Sequence, residues 1–273
     1  MKAMLQTKLM VPPASQNQVL RPRLTGRLNE AAHCALTLVS APAGSGKTTL
    51  LAEWARQYDG PVAWISLDRG DNDPARFESY LVEALRSLGL ELPGRPASER
   101  DSPGDILEST LVAVINRLIE EQLEPALVLD DYHLIENPTI HATLIHVIEN
   151  LPTGARLVLS TRVDPPFPLS RLRGRGQLAE LRFDHLRFTS QEAAAFMSPR
   201  LDGRLAAQEV ESLNQRAEGW ISGLQLAALS LRGSQDPHGL VESFTGSQRY
   251  VLDYLVDEVL DQQTRDVQDF LLD

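Results

Sequence analysis

The stretch Thr37-Leu38-Val39-Ser40-Ala41-Pro42-Ala43-Gly44-Ser45-Gly46-Lys47-Thr48-Thr49-Leu50-Leu51 decides how the chain is read. An apolar strand runs into a glycine turn and then into a helix start, the order of a phosphate-binding loop. Gly44 and Gly46 can take backbone angles closed to other residues, so successive N–H groups can turn inward around a phosphate. Lys47 is placed to reach the outer phosphates as a point charge, and the Thr48 hydroxyl to sit on a magnesium ion. The candidate cradle is Ala43, Gly44, Ser45, Gly46, Lys47, Thr48 and Thr49. Ala41 stands where the general pattern opens with glycine, a one-methyl change at the loop entrance that is milder than a change at Gly46, Lys47 or Thr48.

Working outward, 273 residues are too many for one small core and point to two units with part of a third. Apolar residues make up 42% and charged residues 23%, with no run long enough to cross a bilayer and no basic-then-apolar leader at Met1. A cytoplasmic protein with no membrane partner is expected. Cys34 alone builds neither a disulfide framework nor a metal site, and the six histidines lack metal-ligand spacing. A net charge of −11 argues against this span being the DNA-binding part of anything. Seven arginines between Arg156 and Arg187, against the acids Asp164, Glu180 and Asp184, form a basic stretch that suits either a nucleotide's phosphates, an acidic partner or plain solvation.

The pattern alternates strands with helices. Pro12, Pro13 and Pro22 make the first residues an extended lead-in before a short helix from Thr25 to Ala31. Strands are expected at 35–40, 62–67, 126–129, 156–161 and, at an edge, 178–183, with helices over 48–57, 74–88, 106–122 and 139–151. The acidic run Asp68 to Asp73 either touches magnesium or caps the helix after it. Trp54 and Trp64 suit the core better than a base-stacking role. From Thr189, which forms a capping box with Glu192, the signal is helical only: to Met197, over 205–217 and over 220–231, then a break at 233–239 and a helix-like run from Tyr250. The expected fold is α/β: a three-layer P-loop NTPase core with a parallel sheet and its lead-in over 1–185, a helical lid domain over 186–240, and the start of a truncated winged-helix-like unit over 241–273. The apolar run at the end suggests a piece of a longer chain.

An apolar strand ending in Asp130-Asp131 is the second strong signal, because in a parallel sheet its carboxyl end opens into the same crevice as the loop. Asp130 is the candidate magnesium ligand opposite Thr48, and Asp131 the candidate that orients or deprotonates an attacking water. Arg162, at the end of the next strand, is placed to contact the terminal phosphate, or to form an ordinary strand-end salt bridge.

These marks, with Val19-Leu20-Arg21-Pro22-Arg23-Leu24, Trp64-Ile65-Ser66-Leu67-Asp68, Leu127-Val128-Leu129-Asp130-Asp131-Tyr132-His133, Leu159-Ser160-Thr161-Arg162, Leu181-Arg182-Phe183 and Gly219-Trp220 through Leu226, span nearly all of the chain. Together they resemble the nucleotide-binding region of the MalT-like, ATP-dependent regulators of the LuxR family, within the signal-transduction ATPases with numerous domains (STAND). The resemblance implies a sheet in which the Arg162 strand separates the loop strand from the acid strand. It further implies ATP or ADP with Mg2+, an ADP-bound resting state, an ATP-bound assembling state that can oligomerise, and an Arg23 near the adenine. An inducer sensor and a DNA-binding helix-turn-helix are implied beyond this span. Gln225 stands where the wider group has a nucleotide-touching proline, a role that Trp220 or backbone can replace.

The first functional expectation is therefore an ATP-binding, slowly hydrolysing switch module of a transcriptional regulator. A small-molecule kinase is the second, although no acceptor pocket or hydroxyl base is legible; a nucleotide-stabilised scaffold without turnover is the third.

Overall fold

The structure, a computed structural model, describes residues 4–90, 103–232, 234 and 237–243. The described residues fall into two compact units: one of residues 4–14, 22–41 and, apart from 91–102, 47–182, the other of residues 15–21, 42–46 and the described part from 183 onward.

The first unit is built on β1 (Leu36–Ser40), β2 (Val62–Ser66), β3 (Ala126–Asp130), β4 (Arg156–Thr161) and β5 (Leu178–Arg182). All neighbours pair in parallel in the order β2-β3-β4-β1-β5. β4 therefore lies between the loop strand and the acid strand, and β5 takes an edge. Every residue of β1 and β4 is buried, which is why these segments are near-continuous apolar runs. Leu36, Leu38, Ile65, Leu129, Leu157 and Leu159 share a core with residues of the helices described next. The alternate residues Val39, Trp64, Val128 and Val158 are equally buried, so both faces of the sheet are covered.

The helices are α1 (Pro22–Glu30), α2 (Lys47–Gln57), α3 (Pro74–Arg86), α4 (Pro103–Glu121), α5 (Pro138–Asn150) and α6 (Leu169–Gly174). Four of them open on proline, which has no N–H to lose in a first turn. This corrects two expectations. Pro22 begins α1 rather than closing an extended lead-in, and Pro103 begins α4 three residues before Ile106.

The acidic run adopts the capping alternative. Asp73 caps α3 through the N–H groups of Ala75 and Arg76. Asp68 and Asp71 close a capping box on the 3-10 turn Arg69–Asn72. Buried Lys8 pairs with Asp68 at 3.0 Å and with Asp71, Arg76 pairs with Asp71 at 2.9 Å, and the Lys8 ammonium lies 4.5 Å from the Tyr80 ring centroid. The first residues are thus fastened to α3 by charge.

The second unit contains α7 (Phe183–Leu186), α8 (Ser190–Met197), α9 (Ala207–Arg216), α10 (Ile221–Arg232) and α11 (Pro237–Ser243). Phe188, Phe196, Met197, Leu213, Leu224 and Leu231 lead its core, with Val19 packed against it. The Thr189–Glu192 capping box forms as expected. Glu192 also binds buried Arg21, whose guanidinium donates to Leu186 O at 2.6 Å and Arg187 O at 3.0 Å. Gly219 has φ +70°, and a Cβ there would lie 2.7 Å from Arg187 Cβ. α11 begins inside the break expected over 233–239. The run from Tyr250 and all but the first residues of the expected winged-helix-like unit lie outside the described range.

Candidate functional site

Parallel pairing aligns the carboxyl ends of the strands: Ser40 stands opposite Thr161 and Arg182, and Ser66 opposite Asp130. α2 begins with Lys47 and Thr48 at this edge. The Thr48 hydroxyl donates to Asp130 Oδ1 at 3.1 Å, and Ser160 donates to the same oxygen. Asp130 is 2% exposed. Burial raises its pKa, the nearby Asp131 charge adds to this, and the Ser160 and Thr48 hydrogen bonds with the Lys47 charge oppose it.

Asp131 leaves the strand geometry altogether, with φ 60° and ψ 41°. Aspartate is one of the few residue types that tolerate this left-handed region. The turn separates the two acids: Asp131 carries a side chain 42% exposed, and its N–H donates to Ser160 Oγ at 2.9 Å. His133 Nδ1 lies 3.9 Å from Asp131 Oδ1, and among the described residues this buried nitrogen has no hydrogen-bond partner. Burial pushes the imidazole down to about 4, with Arg162 and Lys47 acting in the same direction and Asp131 against it.

Lys47 is buried and donates to Ala41 O at 2.9 Å. Its ammonium is held below the usual lysine range by burial first and by Arg162, against the pull of Asp131 and Asp130. Arg162 is half-buried, and the charges it acts on place it in the neighbourhood of Lys47 and His133.

The loop tip belongs to the second unit. Gly44 and Gly46 have φ +70° and +77°, and a Cβ on Gly46 would lie 2.7 Å from Ile221 Cδ1. The Trp220 indole donates to Ala43 O at 2.9 Å, and Ser222 N–H to Gly44 O at 3.1 Å. Across a trans peptide the C=O and the following N–H point in opposite directions, so the Gly44 and Ser45 N–H groups face away from these carbonyl contacts. Ser45 is 2% exposed, and its Oγ has no partner among the described residues. Backbone donors and an orphaned hydroxyl suit a phosphate.

Among the described residues no group of three or more His, Cys, Asp or Glu could hold a metal. Magnesium bound with phosphates takes only one or two protein carboxylates, and Asp130, with the Thr48 hydroxyl beside it, could offer one. Thr49 is exposed on α2, and Arg23 is exposed on α1, whereas Arg21 is the buried arginine of the lead-in. Gln225 accepts from Arg200 Nε at 3.1 Å. Much of the basic stretch is neutralised by neighbouring acids. Arg171, Arg173, Arg182 and Arg187 pair with Glu149, Glu180, Asp164 and Asp184, and buried Arg156 lies against the rings of both Trp54 and Tyr58.

This arrangement coincides with a relationship in sequence. In an alignment of 274 positions that covers 98% of its length, the chain is 38% identical to the HTH-type transcriptional regulator MalT of Serratia proteamaculans. The MalT of Yersinia enterocolitica matches at 37% over 272 residues. Over this span the chain is similar to the MalT regulators. It spans about 30% of the length of those relatives. Its fold is shared with Cdc6p from Pyrobaculum aerophilum (TM-score 0.53, 15% identity, 88% of this chain and 67% of that one). It is also shared with the Orc1 protein of Aeropyrum pernix, solved in complex with DNA (TM-score 0.50, 16% identity, 96% and 74%). No protein-family model matches the MalT-like chain.

Proposed function

We propose that this MalT-like chain is an ATP-binding switch module that hydrolyses ATP slowly, so that the bound ATP or ADP is itself the signal. The observation that carries the reading is the Thr48–Asp130 pair at the mouth of β1, beside buried Lys47. In this reading Thr48 and Asp130 would hold magnesium, which would supply positive charge beside the phosphates. Lys47 and Arg162 bind the outer phosphates, and Ser45 and the Gly44–Gly46 backbone cradle them. Asp131 orients the attacking water and takes its proton. Arg23 and the lead-in lie toward the adenine. ATP-dependent self-association belongs to the same proposal.

The relatives are described as HTH-type transcriptional regulators. We assign DNA contact and inducer sensing to the remaining length of such a protein, since the net charge of −11 here disfavours DNA. Calorimetry with ATP and ADP on the parent and on Lys47→Ala tests binding, and single-turnover hydrolysis by Asp131→Asn tests chemistry. The expected results are at least roughly tenfold weaker affinity for the first variant and, for the second, retained ATP binding with roughly 100-fold slower cleavage. Equal affinities end the nucleotide reading. Equal cleavage rates leave a scaffold without an Asp131-dependent reaction.

A further inference from the structure

Two residues beyond Arg162, Asp164 is gripped from two other strands. Ser40, the last residue of β1, donates to Asp164 Oδ1 at 3.2 Å. Arg182, the last residue of β5, embraces the carboxylate with both terminal nitrogens, Nη1 to Oδ1 and Nη2 to Oδ2, the latter at 3.1 Å. Ser40 and Arg182 stand opposite each other in the sheet, so Asp164 spans the ends of β4, β1 and β5.

Arg182 is itself held in place. It also binds Glu180, one pleat earlier on the same face of β5, and Arg173 clamps Glu180 through Nε at 2.8 Å and Nη2 at 3.1 Å. The charges thus alternate from Asp164 through Arg182 and Glu180 to Arg173. Arg182 keeps the Asp164 carboxyl below the usual range, so the pair is fully charged at neutral pH.

Between Arg162 and Asp164 the chain makes a short turn at the end of β4. Val163 is 64% exposed and gains nothing from burial, while Thr161 Oγ1 closes the turn on Val163 O at 2.6 Å. A half-exposed ion pair adds little to stability. A bidentate arginine fork adds direction, and direction is what a phosphate-reading arginine two residues away requires.

We propose that Asp164, locked by Arg182 and Ser40, is a positioning residue that aims Arg162 at the terminal phosphate. The inference rests on the nucleotide reading above. It concerns ATP and not ADP, since only ATP carries the phosphate that Arg162 meets.

The experiment is a double-mutant cycle on the full chain, with ATP and ADP affinities by calorimetry and single-turnover hydrolysis as readouts. Asp164→Asn is expected to weaken ATP binding or slow cleavage about tenfold and to leave ADP affinity within about twofold. Arg182→Lys, which keeps the charge and loses the fork, should fall between parent and Asp164→Asn. In an Arg162→Ala background Asp164→Asn should have no further effect. Additive losses, or equal losses for ATP and ADP, overturn the positioning role while the nucleotide reading stands. A silent Arg162→Ala overturns both the positioning role and the assignment of Arg162 to the terminal phosphate.

Discussion

Ser160 and Asp130 meet across neighbouring strands: the serine hydroxyl donates to the buried carboxylate and, with the same oxygen, accepts the N–H of Asp131. One small side chain on β4 therefore fixes both acids at the end of β3. Ser160→Ala leaves a buried carboxylate short of a donor and a backbone N–H without its acceptor. The expected cost is about 1–3 kcal/mol, read as a lower urea midpoint at pH 7 with unchanged slope. The Asp130 pKa, already raised, should rise further, so a stability curve that keeps its parental shape between pH 4 and 7 would refute this account of Ser160.

Much of this edge was legible because its marks are local. A glycine turn after an apolar strand, acids at the end of another and an arginine at the end of a third each have a short-range pattern. The capping box of Thr189 and Glu192 is equally local. What escaped joins distant positions. Arg21 meets Glu192 across 171 residues, Lys8 meets Asp71 across 63, and Ser160 meets Asp130 across 30. No periodicity encodes such pairs, and only the assembled sheet and helices bring them together. Pro22 and Pro103 misled for another reason: proline both stops and starts helices, and its neighbours decide which.

His133 gives the site a pH dependence of defined sign. The imidazole is displaced from 6.5 to about 4, so below pH 6.5 the unfolded chain takes up a proton that the folded chain refuses until about pH 4. Stability attributable to His133 is complete above pH 6.5, falls as the pH drops toward 4, and then levels off. The displacement limits the loss to at most about 3 kcal/mol. Urea titrations of the parent and His133→Gln at several pH values isolate it, because other titrating groups are common to both. The difference between the two proteins should change across this window and stay flat above it.

Lys8 is the cation of the buried Asp71 carboxylate, which has no exposure at all. Lys8→Met leaves that charge to Arg76 alone, and a loss of about 3 kcal/mol is expected. Adding Asp71→Asn should recover part of it by removing the charge while keeping an acceptor for the Asp68 N–H, now 2.8 Å away. Thermal unfolding of the single and double variants decides; a double variant less stable than Lys8→Met would show that the carboxylate matters for capping more than for charge.

Trp220 holds the glycine loop after β1 through the loop's backbone. Its indole N–H bonds Ala43 O, and the next turn of chain adds the Ser222 N–H on Gly44 O, so the loop's N–H groups are aimed before any ligand arrives. Trp220→Phe keeps an aromatic ring and removes only the donor, at an expected cost of about 1 kcal/mol. That energy appears in binding insofar as it was spent on orienting the loop, which predicts roughly fivefold weaker affinity. Because the contact is to the main chain of the cradle and not to a terminal phosphate, ATP and ADP should suffer alike. Calorimetry with both nucleotides checks this, and a variant that loses ATP affinity while retaining ADP affinity would mean that Trp220 acts on the terminal phosphate and not on the loop.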